Sequence, residues 1–400
     1  MDVAKSRTST SFVEFVVIIS MMMALTALSI DGMLPALPEI GSDLGVVNPN
    51  DRQLIIVVML FGQAIGQLLF GPLSDMIGRK PAIFAGYGLF IVGTVASIVS
   101  MNFPMMLLGR VMQGIGTAAP RAITLAIVRD RFERERMARV MSFAMAIFIL
   151  VPMVAPSLGQ VLLSVAGWRS IFGFFLVFAV STVTWFALRI PETLAVENRK
   201  PLTLGRFRQS IVEIIRIRPA LGYTLTAGLT YGILIAYLNS SQQILQEQYG
   251  LGDTFPLYFA AVSLSIGLAA LVNARLVMRF GMTTLVRWAL ASIVVLSTVF
   301  LTVSVASSGQ PPLWTLMAFL MLTFFCIGIL FGNLNTLAMS PLGHMAGVGA
   351  AVIGAATTFF SMLLGAVIGG AYNGTVLPLV IGIVVLSVSA SLMARWSSAR

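Results

Sequence analysis

The chain has 400 residues, of which 58% are hydrophobic and only 10% are charged, and its formal net charge is +10. A soluble globular chain carries roughly a quarter charged residues, so this composition excludes an ordinary soluble domain. About twelve apolar runs reach the length of roughly twenty residues that is needed to cross a bilayer, which predicts an all-α membrane protein.

The positive charge follows topology and is not a nucleic-acid footprint. If the N-terminus lies inside the cell, most of the 25 Lys and Arg residues fall in the segments that face the cytoplasm. Cytoplasmic loops carry such an excess. The charge distribution therefore predicts a multi-pass protein with both termini in the cytoplasm.

The first apolar run carries Asp31 near its outer end, followed by Met33. Asp31 is the only acid deep inside any run, because Glu14 lies at the inner edge of the first one. An ionisable group inside a bilayer is costly and indicates a function by default. Asp31 is therefore a candidate proton carrier, with a structural ion pair as the alternative, and Met33 is a candidate cavity residue.

The second run contains Gln63 and Gln67, one turn apart, which either line a cavity or bond to a neighbouring helix. Residues 70–81 follow, and they predict a tight charged hairpin in water. The spacing of five residues here resembles the signature loop between the second and third helices of the major facilitator superfamily. The resemblance implies a conformational loop formed by Gly71, Asp75, Gly78, Arg79 and Lys80. We expect Arg79 and Lys80 to lie in water, and Asp75 to contribute most to a conformational latch.

The fourth run contains Arg110, Gln113 and Thr117, and it ends near Arg121. Arg110 and Gln113, with the glycines that follow, resemble the second signature of drug–proton antiporters in the superfamily. At about 100° per residue, Arg110 and Arg121 project from one helical face, which predicts that this face borders a water-filled cavity. The superfamily fold implies that Asp31 lies beside Arg110 in the outer half of the bilayer, close enough to interact directly or through water.

A mixed-charge connection over residues 129–136 predicts a solvated surface that braces the loop around Asp75 against the fourth helix. In the fifth run, Pro152, Pro156 and Gly159 resemble the fifth-helix antiporter motif, although Ala155 replaces a motif glycine. Two prolines in one span predict a bent helix.

Residues 191–218 are the least hydrophobic part of the chain, and they divide it into domains 1–190 and 219–400. Within this linker, an amphipathic pattern predicts a helix on the inner leaflet that has no chemical role. The second half repeats the first weakly at an offset of 203, so that Gly281 corresponds to Gly78. Four polar residues of this half are candidates for the cavity or for helix–helix hydrogen bonds: Tyr231, Asn239, Asn333 and Asn335.

Together, these motifs resemble the bicyclomycin- and chloramphenicol-resistance branch of the superfamily's drug–proton antiporters. The resemblance implies the major facilitator fold, with twelve transmembrane helices in two pseudo-symmetric six-helix bundles. It also implies a monomer in the bacterial cytoplasmic membrane, surrounded by lipid. The expected cargo is a small hydrophobic, mainly neutral drug, such as a phenicol or bicyclomycin, exchanged for protons.

No phosphate-binding loop of the ATPase type occurs in the sequence, so the expected energy source is a proton gradient, without a cofactor or metal. An enzyme is not expected, because the chain has one His, one Cys and one deep acid. The remaining alternative is a single-substrate metabolite or sugar transporter of the same fold. Such a transporter would favour a densely polar cavity, whereas these runs are rich in Met, Phe and Leu.

Overall fold

The computed structural model describes residues 10–199 and 211–398, and within these ranges the chain is helical, without strands. Twelve long helices follow one another in the described ranges, and a short helix, Leu37–Asp43, lies between the first two. Their bounds are α1 Phe12–Asp31, α2 Leu54–Ile77, α3 Arg79–Ile98, α4 Phe103–Arg131, α5 Arg134–Ala166, α6 Trp168–Arg189, α7 Arg218–Ser241, α8 Phe255–Phe280, α9 Met282–Ala306, α10 Leu313–Met339, α11 Ala346–Gly370 and α12 Leu377–Ser398.

Eleven helices in the described ranges are long and apolar enough to cross a membrane, and α5 contains a further apolar stretch, Leu150–Ala166. Each of the predicted runs thus corresponds to one long helix.

The packing repeats with an offset of six helices. In the first half, α1 packs against α4, α5 and α6, and in the second half α7 packs against α10, α11 and α12. Likewise, α2 and α3 pack on α4, while α8 and α9 pack on α10. Two helix pairs, α2 with α11 and α5 with α8, join the halves. This is the arrangement of two parallel repeats, and it confirms the predicted fold class; the domain limits at residues 190 and 219 stay a prediction.

The predicted hairpin at residues 70–81 is wrong in its extent. Helix α2 continues through Gly71 and Pro72 to Ile77, and α3 begins directly after Gly78. Spanning helices tolerate an internal proline because packed neighbours stabilise the interrupted backbone. Gly78 alone makes the turn, with φ 107° and ψ 158°, a backbone conformation that favours glycine.

Direct polar contacts join the two bundles at one end of the molecule. The side-chain amide of Asn50 donates to the carbonyl oxygens of Gly370 and Tyr372, at 3.0 and 2.8 Å, and accepts a bond of 2.8 Å from Gln243. Arg52 forms an ion pair of 2.7 Å with Glu247, and Gln160 bonds to Asp253 at 2.9 Å. We call this region the closed end, formed by residues 48–53, 160, 242–253 and 370–372.

Candidate functional site

Arg110 lies at the centre of the first bundle and is fully buried. Its guanidinium donates to the carbonyl oxygens of Ile55 and Ser29, at 3.1 and 3.0 Å, and to the side-chain oxygen of Gln113 at 2.6 Å. It also lies over the ring of Phe172, 5.8 Å from the centroid. These contacts fix the arginine between α1, α2, α4 and α6, so it does not border open water as predicted.

Asp31 is the last residue of α1 and is only 5% exposed. Within the described residues it forms no ion pair, and the carbonyl of Ser29 takes the place beside Arg110. Tyr237 of α7 lies within electrostatic range of Asp31. The hydroxyl of Tyr237 has no hydrogen-bond partner in the part of the chain that the structure describes. The site therefore holds a buried acid and a buried base that are not bonded to each other.

Arg121 lies about three turns from Arg110 on the same face of α4, but its side chain is exposed. The shared face thus passes from a buried environment to an open one along the helix. The bundles meet at the closed end, on the other side of Arg110 from Arg121.

Gln113 and Thr117 lie inside the first bundle. Besides its bond to Arg110, Gln113 donates to Thr94 of α3 at 2.8 Å. Thr117 bonds to the carbonyl of Gly114 in its own helix at 2.9 Å. Both side chains are buried, so the structure assigns them to helix packing in place of the predicted cavity wall.

The other predicted cavity residues of the first half lie nearer to the bundle interface. Gln67 donates to Thr358 of α11 at 3.1 Å and so joins the bundles at mid-depth. Gln63 makes a long bond of 3.5 Å to Thr26 of α1. Met33 is fully buried just after α1.

In the second half, the four candidates lie in four different environments. Asn239 is buried, and neither polar atom of its amide has a partner among the described residues. Asn333 bonds across to Asn273 of α8 at 2.8 Å, which is the helix–helix alternative, and Asn335 is exposed. Tyr231 donates to the carbonyl of Phe331 at 3.0 Å, and its ring lies against the ring of Phe331 at a tilt of 36°, with the centroids 4.8 Å apart.

The turn between α2 and α3 is organised by Arg79, and the prediction that Arg79 lies in water is wrong. Arg79 is 5% exposed. Its guanidinium donates to Asp75 at 2.5 Å, to Ser74 at 2.8 Å and to Asp130 at 3.0 Å. Asp130 lies near the end of α4, so the predicted brace between this turn and the fourth helix is present.

Glu192, in the linker after α6, was not predicted as a functional residue. Its carboxylate accepts the backbone N–H groups of Arg79 and Lys80, both at 3.0 Å, at the start of α3. It also accepts those of Thr193 and Leu194, both at 2.9 Å. Burial alone would raise the pKa of Glu192, but the four backbone bonds stabilise the charged form and hold its pKa below the usual value. A carboxylate at a helix start also interacts favourably with the helix dipole.

Lys80 adds two more bonds to this connection, so the prediction that its side chain lies in water is also wrong. Its ammonium group donates to the carbonyl oxygens of Ala187 and Ile190, at 2.6 and 3.0 Å, at the end of α6. The beginning of the linker is therefore bonded to the α2–α3 turn. Most of the predicted amphipathic helix, at residues 200–210, lies outside the described residues, while residues 211–216 are helical.

The fifth-helix motif lies against the end of α1. Pro152 and Pro156 are both inside α5, and Gly159 lies so close to Gly32 that an added Cβ would overlap the carbonyl oxygen of Gly32. Gly32 directly follows Asp31 in the chain. A small residue at position 159 therefore sets the distance between α5 and the backbone that holds Asp31.

Two joined helical bundles, with an acid and an arginine buried in the first of them, define a membrane transporter. The model of the Major Facilitator Superfamily matches residues 19–370 of the chain. The chain therefore belongs to this superfamily, whose members are transporters and not enzymes.

Curated relatives support the predicted branch. The chain is 31% identical over 357 residues to the uncharacterized MFS-type transporter YdgK of Bacillus subtilis, covering 88% of this chain and 86% of that protein. It is 31% identical to a bicyclomycin resistance protein homolog of Haemophilus influenzae, covering 69% and 70%. It is 28% identical to the multidrug resistance protein MdtL of Escherichia coli, covering 86% of each. The names of the last two relatives refer to bicyclomycin resistance and to multidrug resistance, which supports the branch that the motifs indicate.

Two solved structures share the fold. The xylose transporter XylE from E. coli matches 96% of this chain and 97% of its own, with a TM-score of 0.75 and 13% identity. The human organic anion transporter MFSD10 matches 96% and 99%, with a TM-score of 0.72 and 18% identity.

Proposed function

We propose that the protein exports small apolar, mainly neutral drugs across the bacterial cytoplasmic membrane in exchange for protons, by alternating access. The observation that carries this proposal is the buried Asp31, an acid without an ion pair among the described residues. A spanning segment retains such a group when a proton must bind and leave.

The proposed orientation follows from the basic residues. With both termini in the cytoplasm, the closed end faces outside and the exposed Arg121 faces the cytoplasmic opening. In this state, a drug enters from the cytoplasm or from the inner leaflet. The drug binds between α1, α4 and α7, near Asp31 and Tyr237.

The proposed cycle uses Asp31 and Arg110 as a switch. Opening to the acidic outside protonates Asp31, and the neutral acid no longer attracts Arg110, which keeps its bonds to the carbonyls of Ser29 and Ile55. When the site opens inward and a drug binds, the proton leaves to the cytoplasm. The free energy of the proton gradient thereby drives export of the drug.

Three observations support apolar and mainly neutral cargo. The exposed guanidinium of Arg121 repels a cation that enters from the cytoplasmic side. The names of two relatives, a bicyclomycin resistance protein homolog and a multidrug resistance protein, refer to drugs. Met-rich apolar surfaces adapt to ligands of different shapes, and the chain has 23 Met residues.

The test is proton release from detergent-purified protein when a phenicol is added in weakly buffered solution. We expect release by the unmodified protein and none by Asp31→Asn, which preserves the size of the side chain but cannot titrate. Drug binding by Asp31→Asn, followed by tryptophan fluorescence, should remain detectable.

Glu14→Gln is the matched control, because Glu14 lies in the same helix but pairs with Arg189 at 2.5 Å at its other end. Release should persist in this variant. Continued release by Asp31→Asn would show that another group carries the proton. Proton movement with a sugar and with no drug in a substrate panel would favour the single-substrate alternative.

A further inference from the structure

Arg121 is a cation at membrane depth that forms no ion pair within the described residues. Its side chain is exposed, whereas the adjacent Pro120 is buried. An unpaired arginine in a spanning segment is costly, and it is retained when it faces a water-filled cavity or a ligand.

The helical face that carries Arg121 points toward the interior of the protein and not toward lipid. It shares a helical face with Arg110, whose contacts lie inside the first bundle. From the second bundle, Tyr231 of α7 lies within electrostatic range of Arg121. The hydroxyl of Tyr231 donates to the carbonyl of Phe331, and within the described residues it forms no hydrogen bond with Arg121.

The only deep acid of the first bundle is too far away to pair with Arg121. Asp31 lies at the depth of Arg110, and eleven residues of helix separate Arg110 from Arg121, which is about 16 Å along the axis. A guanidinium presents a planar set of donors that matches the two oxygens of a carboxylate. Such bidentate, charge-assisted bonds are stronger than bonds between neutral groups.

We propose that Arg121 binds an anionic oxygen group, above all a carboxylate, on an otherwise apolar cargo. The apolar remainder of the cargo packs toward Tyr231 and the second bundle. This inference rests on the proposed function and deepens it, because it adds drugs with one carboxylate, including net-neutral zwitterions, to the substrates of the same cavity.

The probes are the hemisuccinate of a phenicol, which carries one carboxylate, and the methyl ester of that hemisuccinate, which is nearly the same size but neutral. Their dissociation constants are measured by tryptophan fluorescence on the full chain in detergent. Charge-assisted bonds predict that the unmodified protein binds the hemisuccinate roughly tenfold more tightly than the ester. Arg121→Gln should abolish this preference, and Arg121→Lys should keep part of it.

Arg287→Gln is the control, because Arg287 is an exposed cation on α9 that bonds to Ser398 at 3.0 Å, away from the bundle interface. It should keep the full preference. An elution volume of Arg121→Gln in size-exclusion chromatography in detergent that equals that of the unmodified protein shows that this variant is folded. Equal affinities of the two probes for the unmodified protein would overturn the proposal, as would a preference that survives in Arg121→Gln.

The proposed function is tested separately, by proton release from the protein when the parent phenicol is added. If release is absent while the Arg121-dependent preference holds, antiport fails and the carboxylate site stands. If release is present and depends on Asp31 while the preference is absent, antiport stands and the carboxylate site fails.

Discussion

Replacing Arg79 by Gln should destabilise the α2–α3 turn more than replacing either of its acidic partners. Arg79 is 5% exposed and bonds to Ser74, Asp75 and Asp130 at once. The side chain of Asp75 is 42% exposed, and that of Asp130 is 18% exposed. The arginine is therefore the shared centre of the network, and the two acids differ in how much water competes with them.

These exposures set the expected magnitudes. Asp75→Asn removes a largely hydrated pair, which costs about 1 kcal/mol or less in the free energy of unfolding. Asp130→Asn removes a more buried bond between charged groups, which costs about 1.5–3 kcal/mol. Arg79→Gln removes all three bonds and leaves Asp130 without its cation, which costs about 3–5 kcal/mol.

The assay is equilibrium unfolding of the purified protein in mixed micelles with increasing SDS, followed by the fluorescence of its five Trp residues. Arg129→Gln is the control, because Arg129 is an exposed cation near the same end of α4. It should leave the unfolding midpoint nearly unchanged. An Asp75→Asn variant that loses as much stability as Arg79→Gln would refute the assignment of Arg79 as the centre.

The same variants test the latch hypothesis from the sequence. If the network holds one conformation, Asp75→Asn should slow or unbalance the exchange between inward- and outward-open states while drug binding survives. Distances between spin labels at the two ends of the bundles report this exchange. Normal transport by a fully expressed Asp75→Asn protein would exclude a latch that depends on this acid.

Three further predictions follow from single contacts. Glu192→Gln should lower the free energy of unfolding by about 0.5–2 kcal/mol. Because folding lowers the pKa of Glu192, its contribution to stability is complete above the unfolded-state pKa and is lost as the pH falls through the folded-state pKa. The difference in unfolding free energy between the variant and the unmodified protein should therefore disappear in acid, and a difference that stays constant with pH would contradict this. Asn50→Ala removes three hydrogen bonds of the closed end. A cysteine that replaces Asn239 should therefore react several-fold faster with a membrane-impermeant maleimide when Asn50 is also replaced. Equal reaction rates with and without Asn50→Ala would argue against a gate at the closed end. Gly159→Ala should lower the free energy of unfolding by about 1–3 kcal/mol and reduce drug-driven proton release. Gly173→Ala is the control and should change neither quantity, because an added Cβ there has no neighbour within 4 Å. If Gly159→Ala also changed neither, α1 and α5 would be free to move apart.

The sequence alone was sufficient for the number of spans and for the fold. Every spanning helix must be apolar and about twenty residues long, because the bilayer has one thickness. Local patterns of length and composition were therefore enough to predict the spans. The antiporter motifs also indicated a branch that the relatives support. Helix ends were harder to predict. Helix α2 continues through Pro72 because neighbouring helices pack against it, and a local sequence pattern contains no information about that packing.

Pairing between distant residues was the least predictable feature of the site. Glu192 bonds to the backbone of Arg79 across 113 positions of sequence, and no periodicity connects them. An acid directly after Pro191 at the end of a span was the only available hint. Arg110 illustrates the same limit, because its partners include two backbone carbonyls, of Ser29 and Ile55, and carbonyls have no sequence signature.

The internal repeat separates what the turn needs from what the charges do. Gly281 begins α9 with φ 77° and ψ 155°, close to the ψ of Gly78, at the offset of 203 that the sequence indicated. At the same offset, Met278 replaces Asp75 and Met282 replaces Arg79, and the side chain of Met278 is 87% exposed. The second turn therefore keeps its geometry without these two charges, which shows that glycine is sufficient to connect the helices there. The Arg79 network is then not required to form the turn, and its retention in one half only argues that it acts on the movement of that half against the other.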